Sequence, residues 1–298
     1  MLAPALATVP EKTVQNMLGV RIVGAGAVGK ATGIGLRKLG HAVDFYDSNR
    51  EVLDVLKREG LHVSESLDQN LSESDVVMIC VPTPTVDGHQ DLSHVLRAAE
   101  KLGEALRGSD RYMVVVVRST VLPGSTRSRI IPVLERSSGK KIGEDFGVCS
   151  NPEFLRAASA LKDFLNSPRI VVGESDSRAG DVLARLYKGL GTPIVKCSLE
   201  EAELVKYVCN AFLASKISFF NEIYKVCQKI GVDDKIVSYA ASLDGRIGGY
   251  GVEGGRAFDG PCLPKDLDAL IEFVKGLGES SLLLEAVRKI NEDMRDGQ

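Results

Sequence analysis

The chain has no CxxC pair, no cysteine–histidine cluster, no excess of basic charge and no apolar run long enough to cross a membrane. Its six cysteines, at 80, 149, 197, 209, 227 and 262, stand singly. That spacing excludes a zinc knuckle and a disulfide framework, suggests no metal site, and fits a reducing compartment. A formal net charge of −3 over 298 residues, with both signs interspersed, leaves no electrostatic footprint for nucleic acid. No stretch approaches the roughly 18 uninterrupted apolar residues of a spanning helix. Residues 1–16 lack a basic n-region, carry Pro4 and Pro10, and turn charged too early for a signal peptide. They read as an N-terminal extension of a soluble, cytoplasmic protein.

What is present is a regular alternation. Short β-branched runs, LGVRIVG (18–24), HAVDFYD (41–47), DVVMICV (75–81), YMVVVVRS (112–119), DFGVCSN (145–151), PRIVVG (168–173) and TPIVKC (192–197), are separated by helical patterns such as VGKATGIGLRKLG and LSHVLRAAEKLGEALRG. Runs that are apolar on both faces, separated by amphipathic helices, predict an α/β fold: a Rossmann-like, doubly wound parallel sheet over residues 17–197. After Cys197 the strand pattern stops. Ser198 and Glu201 have the spacing of a capping box and open a long helical stretch over about 198–230, so residues 198–298 are expected to form a helical domain with a spine. Residues 246–260, RIGGYGVEGGRAFDG, read as a glycine-rich loop.

GAGAVG, comprising Gly24, Ala25, Gly26, Ala27, Val28 and Gly29, follows the first strand and opens the first helix, and Asp47 closes the second strand eighteen residues after Gly29. Glycines allow the tight turn and close approach of backbone to a pyrophosphate. The helix N-terminus supplies amide donors, and the carboxylate accepts from ribose hydroxyls. In this context the motif points to a dinucleotide, and Asp47 would repel a 2′-phosphate, so NAD is expected over NADP. VPTPT (81–85) and RST (118–120) end later strands, at the edge where such sheets bind ligands. A strand-stopping proline and a solvated turn explain them equally well.

Near the other end, the run AFDGPCLPKDL contains Cys262 with Lys265 and Asp266 close behind. Beside NAD a thiol is useful when an aldehyde must be oxidised further, because its thiohemiacetal can lose a second hydride and become a thioester. A buried structural cysteine is the alternative. Lys206 and Asn210 are four apart and share one face of the long helix, where they could meet a developing alkoxide or simply face solvent.

These pieces, in this order, resemble the UDP-glucose/GDP-mannose dehydrogenase family. The likeness runs from about Leu18 to Asn291 through GAGAVG with Asp47, VPTPTVDGHQDLSHV (81–95), RSTVLPGST (118–126), SNPEFLR (150–156), AELVKYVCNAFLASKISFFNEI (202–223), DGRIG (244–248), FDGPCLPKD (258–266) and LLLEAVRKINE (282–292). The resemblance implies oxidation of the primary alcohol of a sugar nucleotide to a carboxylate by two NAD, without release of the aldehyde. It makes Cys262 the nucleophile, Lys206 and Asn210 the oxyanion stabilisers, Asp266 a proton-transfer partner through water, and Thr120 and Glu153 the remaining acid/base groups. Val81, Thr83, Ser119, Thr120 and Lys265 would line the NAD crevice. Phe154, Leu155, Arg156, Arg246, Tyr250 and Gly260 would meet substrate, and the helix over 198–230 would pair two subunits as a homodimer.

This sequence departs from the family's pattern at several points. Ala157 and Ala158 replace a glutamate and a glycine, Asp259 and Pro261 replace a glycine and a serine beside the cysteine, and Ala27 and Lys30 alter the fingerprint. The chain also stops at Gln298, which reads as a short member without the C-terminal nucleotide-binding domain. Asp259 is expected to disfavour an anionic diphosphate nearby, making a smaller sugar or a nucleoside plausible. Beside the dehydrogenase stand two other readings: a redox-neutral lyase or epimerase that returns the hydride, and a non-catalytic NAD-binding dimer.

Overall fold

The computed structural model describes residues 17–86 and 88–296, so the expected extension over 1–16 lies outside the described residues. Nine strands are described: β1 (Gly19–Val23), β2 (Ala42–Tyr46), β3 (Val76–Ile79), β4 (Thr85–Val86), β5 (His89–Gln90), β6 (Met113–Val117), β7 (Phe146–Ser150), β8 (Ile170–Glu174) and β9 (Ile194–Cys197). The helices are α1 (Ala27–Lys38), α2 (Arg50–Arg58), α3 (Ser93–Leu106), α4 (Ile131–Ser138), α5 (Ala160–Leu165), α6 (Ser177–Tyr187), α7 (Leu199–Ile230), α8 (Asp234–Ser242), α9 (Leu263–Gly276) and α10 (Leu282–Asp296). The chain divides into two compact units. One comprises residues up to Pro82 with Ser93–Glu203, and the other Thr83–Leu92 with Leu204 onward.

In the first unit seven strands form one sheet in the order β2-β1-β3-β6-β7-β8-β9. The pairs from β2 through β7 are parallel. Every residue of β3 (VVMI) and β6 (MVVVV) is buried, as expected of strands covered on both faces. The sheet is not parallel throughout, however. β8 runs antiparallel to β7, with Cys149 opposite Glu174 and Ser150 opposite Gly173, and β9 is parallel to β8. The connection after β7 carries a short 3-10 turn and the six-residue α5, which packs on α1. The chain does not recross the sheet, so β8 starts beyond the edge where β7 ended and runs back along it.

Helix α1 seats closely because its inner face is glycine. A Cβ at Gly33 would lie 2.3 Å from the Phe45 ring, and one at Gly35 2.2 Å from the Phe164 ring. Both rings belong to the buried cluster with Ile22, Leu36, Met78, Val116 and Tyr187. Arg21 in β1 is wholly buried. Its Nε lies 2.6 Å from Asp44, and its other nitrogens donate to the Leu67 and Gln69 carbonyls.

In the second unit the β4–β5 hairpin packs on α9, where a Cβ at Gly88 would meet the Glu272 side chain at 2.4 Å. The Gln90 amide donates to the Tyr207 hydroxyl of α7 at 2.9 Å. α9 and α10 pack together, with Lys275 and Glu285 paired at 2.7 Å. The start of α7 belongs to the first unit, where Ser198 and Glu201 form the expected capping box: Glu201 N–H donates to Ser198 Oγ at 3.2 Å, and Ser198 N–H to Glu201 Oε2 at 2.7 Å.

Candidate active site

In the first unit β1 leads into a turn at Gly24, whose φ of 93° is left-handed and suits glycine. A Cβ at Gly29 would lie 1.9 Å from the Gly24 carbonyl oxygen, so the turn closes on the helix only with glycine there. Gly26 is the N-cap of α1 and provides no side-chain cap, and a Cβ at that position would meet nothing within 4 Å. The first-turn amides of α1 therefore have no side-chain acceptor and open onto clear space, the arrangement that receives a phosphate. Asp47 does two jobs at once. Its Oδ2 accepts Ala25 N–H at 2.8 Å and its Oδ1 accepts Asn49 N–H at 2.9 Å, which fixes the glycine turn and leaves a lone pair on each oxygen for a ribose hydroxyl. These residues fit NAD.

The loops after β3 and β6 are tied together: Ser119 Oγ donates to the Val81 carbonyl at 2.6 Å. Thr120 follows, half-buried. Thr83, expected in the same crevice, belongs to the second unit and is buried. Below the RSTVLPGST segment, the buried Glu203 carboxylate accepts Gly124 N–H at 2.6 Å and Thr126 N–H at 2.9 Å. Burial pushes its carboxyl above the ordinary range, against the pull of those bonds. Sequence reasoning missed Glu203.

In the loop after β7, Glu153 is buried and its Oε2 accepts Leu155 N–H at 2.6 Å. Arg169 lies over the Phe154 ring at 4.0 Å. Arg156 grips Asp163, with its backbone N–H and Nε on Oδ2 and its terminal nitrogen on Oδ1 at 2.7 Å. That guanidinium holds the Asp163 carboxyl well below the usual range. Ala157 and Ala158 lie in a short 3-10 turn.

The second unit gathers the chemistry-bearing side chains of α7 and α9. Cys262 is the N-cap of α9, with proline in the first turn and Asp266 one turn on. Asp266 N–H donates to the Cys262 carbonyl at 3.0 Å. Of the six cysteines only Cys262 is exposed. Burial pushes the Cys80 thiol up to about 12 and also raises Cys149 and Cys197. Asp266 is 2% exposed, and it accepts Asn210 Nδ2 on Oδ2 at 2.6 Å and Lys265 Nζ on Oδ1 at 2.5 Å. Lys206 is buried one turn before Asn210 on the same helix. A buried carboxylate held by an ammonium and an amide, one helical turn from an accessible thiol, is a preorganised polar site.

The glycine-rich loop leading to Cys262 is pinned by two buried asparagines that sequence reasoning missed. Asn221 Oδ1 accepts Gly255 N–H at 2.9 Å, while its Nδ2 donates to the Arg256 carbonyl at 2.8 Å. Asn291 Oδ1 accepts Phe258 N–H at 2.7 Å and its Nδ2 donates to the Phe258 carbonyl at 3.0 Å. The available signal was an amide interrupting apolar helix faces in SFFNEI and VRKINE. Arg246 is exposed and forked onto Asp244, Tyr250 is half exposed, and Gly260 has a φ of 87° with open space where a Cβ would be. Asp259 is 88% exposed and lies 3.6 Å from Arg295. Its charge thus faces water beside a guanidinium, which weakens the expected repulsion of a diphosphate. Among the described residues no group of three or more His, Cys, Asp or Glu could hold a metal, and no helix is long and apolar enough to cross a membrane.

Comparison with known proteins matches residues 52–191 to the UDP-glucose/GDP-mannose dehydrogenase family, NAD binding domain, and residues 200–293 to the central domain of that family. Residues 9–94 also match the NAD binding domain of D-isomer specific 2-hydroxyacid dehydrogenases. A GDP-mannose 6-dehydrogenase of Pseudomonas putida is 40% identical over 248 residues, 80% of this chain and 57% of its own length. A UDP-glucose 6-dehydrogenase of Bacillus subtilis is 35% identical over 300 residues, 94% of this chain and 64% of its own. The solved structure of a UDP-glucose dehydrogenase from Pyrobaculum islandicum superposes with a TM-score of 0.87 at 37% identity, over 96% of this chain and 70% of that one. The chain thus spans about half to two thirds of the length of these curated relatives.

Proposed function

Because the chain belongs to the UDP-glucose/GDP-mannose dehydrogenase family and its first unit is that family's NAD binding domain, we propose that it oxidises the primary alcohol of a sugar nucleotide to the carboxylate with NAD. The observation that carries this reading is the accessible Cys262 one turn from the buried Asp266–Asn210–Lys265 bridge. The Gly24–Gly29 turn and Asp47 would hold NAD, which would supply the hydride acceptor for both oxidations.

The chain's own residues do the rest. Lys206 and Asn210 present an ammonium and an amide to the oxygen that gains negative charge as the alcohol loses its proton. Cys262, as thiolate, adds to the aldehyde carbon to give a thiohemiacetal on its sulfur, which after the second oxidation is a thioester. Asp266 takes a proton from the water that attacks the thioester, and the acid leaves as the thiol is restored. The resemblance assigns further acid/base work to Thr120 and Glu153 of the first unit. The partner we assign is a second copy of the chain. On α7 Leu204, Val208, Phe212, Phe219, Val226 and Ile230 are exposed along one helical face, an apolar stripe suited to an isologous helix pair.

The test is stoichiometry. UDP-glucose or GDP-mannose should yield two NADH per acid formed, and Cys262→Ala should stop after the first oxidation. Product formed with no net NADH would establish a redox-neutral reaction instead. Phe212→Glu with Phe219→Glu should convert a dimer to a monomer in sedimentation; an unchanged mass would refute the stripe as the interface.

A further inference from the structure

Arg118, at the end of β6, is 4% exposed, yet its hydrogen bonds all go to neutral groups. Nε donates to Thr32 Oγ1 at 2.8 Å, and one terminal nitrogen donates to Asn151 Oδ1 at 2.6 Å, the Asn151 carbonyl at 3.2 Å and the Tyr187 hydroxyl at 3.3 Å. Among the described residues it forms no ion pair with a carboxylate, unlike Arg111, Arg127 and Arg156. The contrast is Arg21, equally buried but set against Asp44 at 2.6 Å. A buried cation without an anion is costly, and an anion bound nearby would offset that cost.

Its position says which anion. Thr32 lies on α1 three residues past Gly29, so the guanidinium is fixed against the helix whose uncapped N-terminus faces the dinucleotide site. Asn151 is itself anchored, its Nδ2 donating to the Val171 carbonyl at 2.7 Å and its Oδ1 accepting the Tyr187 hydroxyl at 2.5 Å. The cation therefore cannot swing out to solvent. We propose that Arg118 is a cofactor-affinity residue, a fixed buried charge that complements the diphosphate of NAD from beneath the fingerprint helix and completes its neutralisation when the cofactor binds. This rests on the NAD binding domain alone and not on the reaction proposed above.

The test grades ligand charge. Binding of NAD, ADP-ribose and adenosine is measured by calorimetry and NMR titration for the wild-type chain, Arg118→Lys, Arg118→Gln and Arg118→Met. Thermal unfolding of each ligand-free chain reports the fold. The Gln amide reaches as far as the arginine Nε and can keep the bond to Thr32 Oγ1, so it serves where Met fails to fold. The expected result is that Gln and Met weaken NAD and ADP-ribose about tenfold, the scale of one unit charge acting through a partly polar interior, while adenosine changes less than about twofold and Lys stays near wild type. Equal losses for adenosine and NAD would make Arg118 a purely structural residue. Unchanged NAD affinity in Gln, or a Lys variant as weak as Gln, would likewise overturn the proposal.

Discussion

The loop that delivers Cys262 hangs on two buried amides, and Asn291→Ala tests how much the one nearer the cysteine carries. Asn291 is 4% exposed and bonds both the N–H and the carbonyl of Phe258, four residues before the cysteine. Alanine would strand the Phe258 N–H and leave its carbonyl only the 3.4 Å bond from Arg295, at about 1–3 kcal/mol for a buried group left unsatisfied. Water entering the vacated space would recover part of that, so the expected loss is about 1–3 kcal/mol, a large share of the 5–15 kcal/mol typical of a folded chain. Asn291→Asp should be intermediate, because a carboxylate still accepts from Phe258 N–H but faces its carbonyl with a like charge. The assay is urea unfolding followed by far-ultraviolet circular dichroism, with hydrogen exchange on the peptide over 256–262. Faster exchange confined to that peptide at low urea is expected, together with the lowered midpoint. A loss under about 0.5 kcal/mol, the range of an ordinary surface change, with unchanged exchange would refute the assignment of Asn291 as the loop's anchor.

Much of the first unit was legible because its signals are local. Each of the seven β-branched runs became a strand, since apolar segments such as VVMI and MVVVV have no stable place except a sheet covered on both faces. The fingerprint turn and the Ser198–Glu201 box were legible for the same reason: a φ above zero or a reciprocal cap is written within a few residues. Direction was not. Nothing in PRIVVG says that β8 runs against β7; that follows from how α5 packs on α1 in the connection. The hairpin at Thr85–Gln90 joins the second unit through α9, a contact some 180 residues away in sequence that no window could reveal. Of the site, residue types and spacing gave Cys262, Lys206, Asn210 and Asp266 as candidates, but not that Asp266 is buried between Lys265 and Asn210. Likewise Arg118 reads in sequence as the end of a strand, and only its surroundings show a cation without an anion. The resemblance sets Arg156 and Arg246 against substrate, and only the structure shows that each is paired with a carboxylate, Asp163 and Asp244.

Three further outcomes follow from particular contacts. Gly35→Ala should destabilise the chain by about 1–3 kcal/mol through overpacking, since its Cβ would sit 2.2 Å from the Phe164 ring; Phe164→Leu should recover much of this in the double variant, and strict additivity in unfolding would refute the clash. His41 is half-buried with Nδ1 accepting Leu18 N–H and Nε2 donating to the Leu186 carbonyl, and burial lowers its pKa below 6.5. The folded state thus binds fewer protons than the unfolded one, so stability should fall as pH drops below about 6.5; His41→Gln should flatten that part of the Tm profile, and equal slopes would refute it. The last concerns the thiol itself. Iodoacetamide reacts with thiolates it can reach, and Cys262 is exposed at the amide-rich end of α9, whereas burial raises Cys80, Cys149 and Cys197 and covers Cys227. Peptide mapping after brief alkylation near neutral pH should find Cys262 modified first, and Asp266→Asn should slow it no more than mildly, because both Asp266 oxygens are already engaged by Asn210 and Lys265. If a buried cysteine reacted as fast as Cys262, the environment argued for this thiol, and with it the covalent step, would fail.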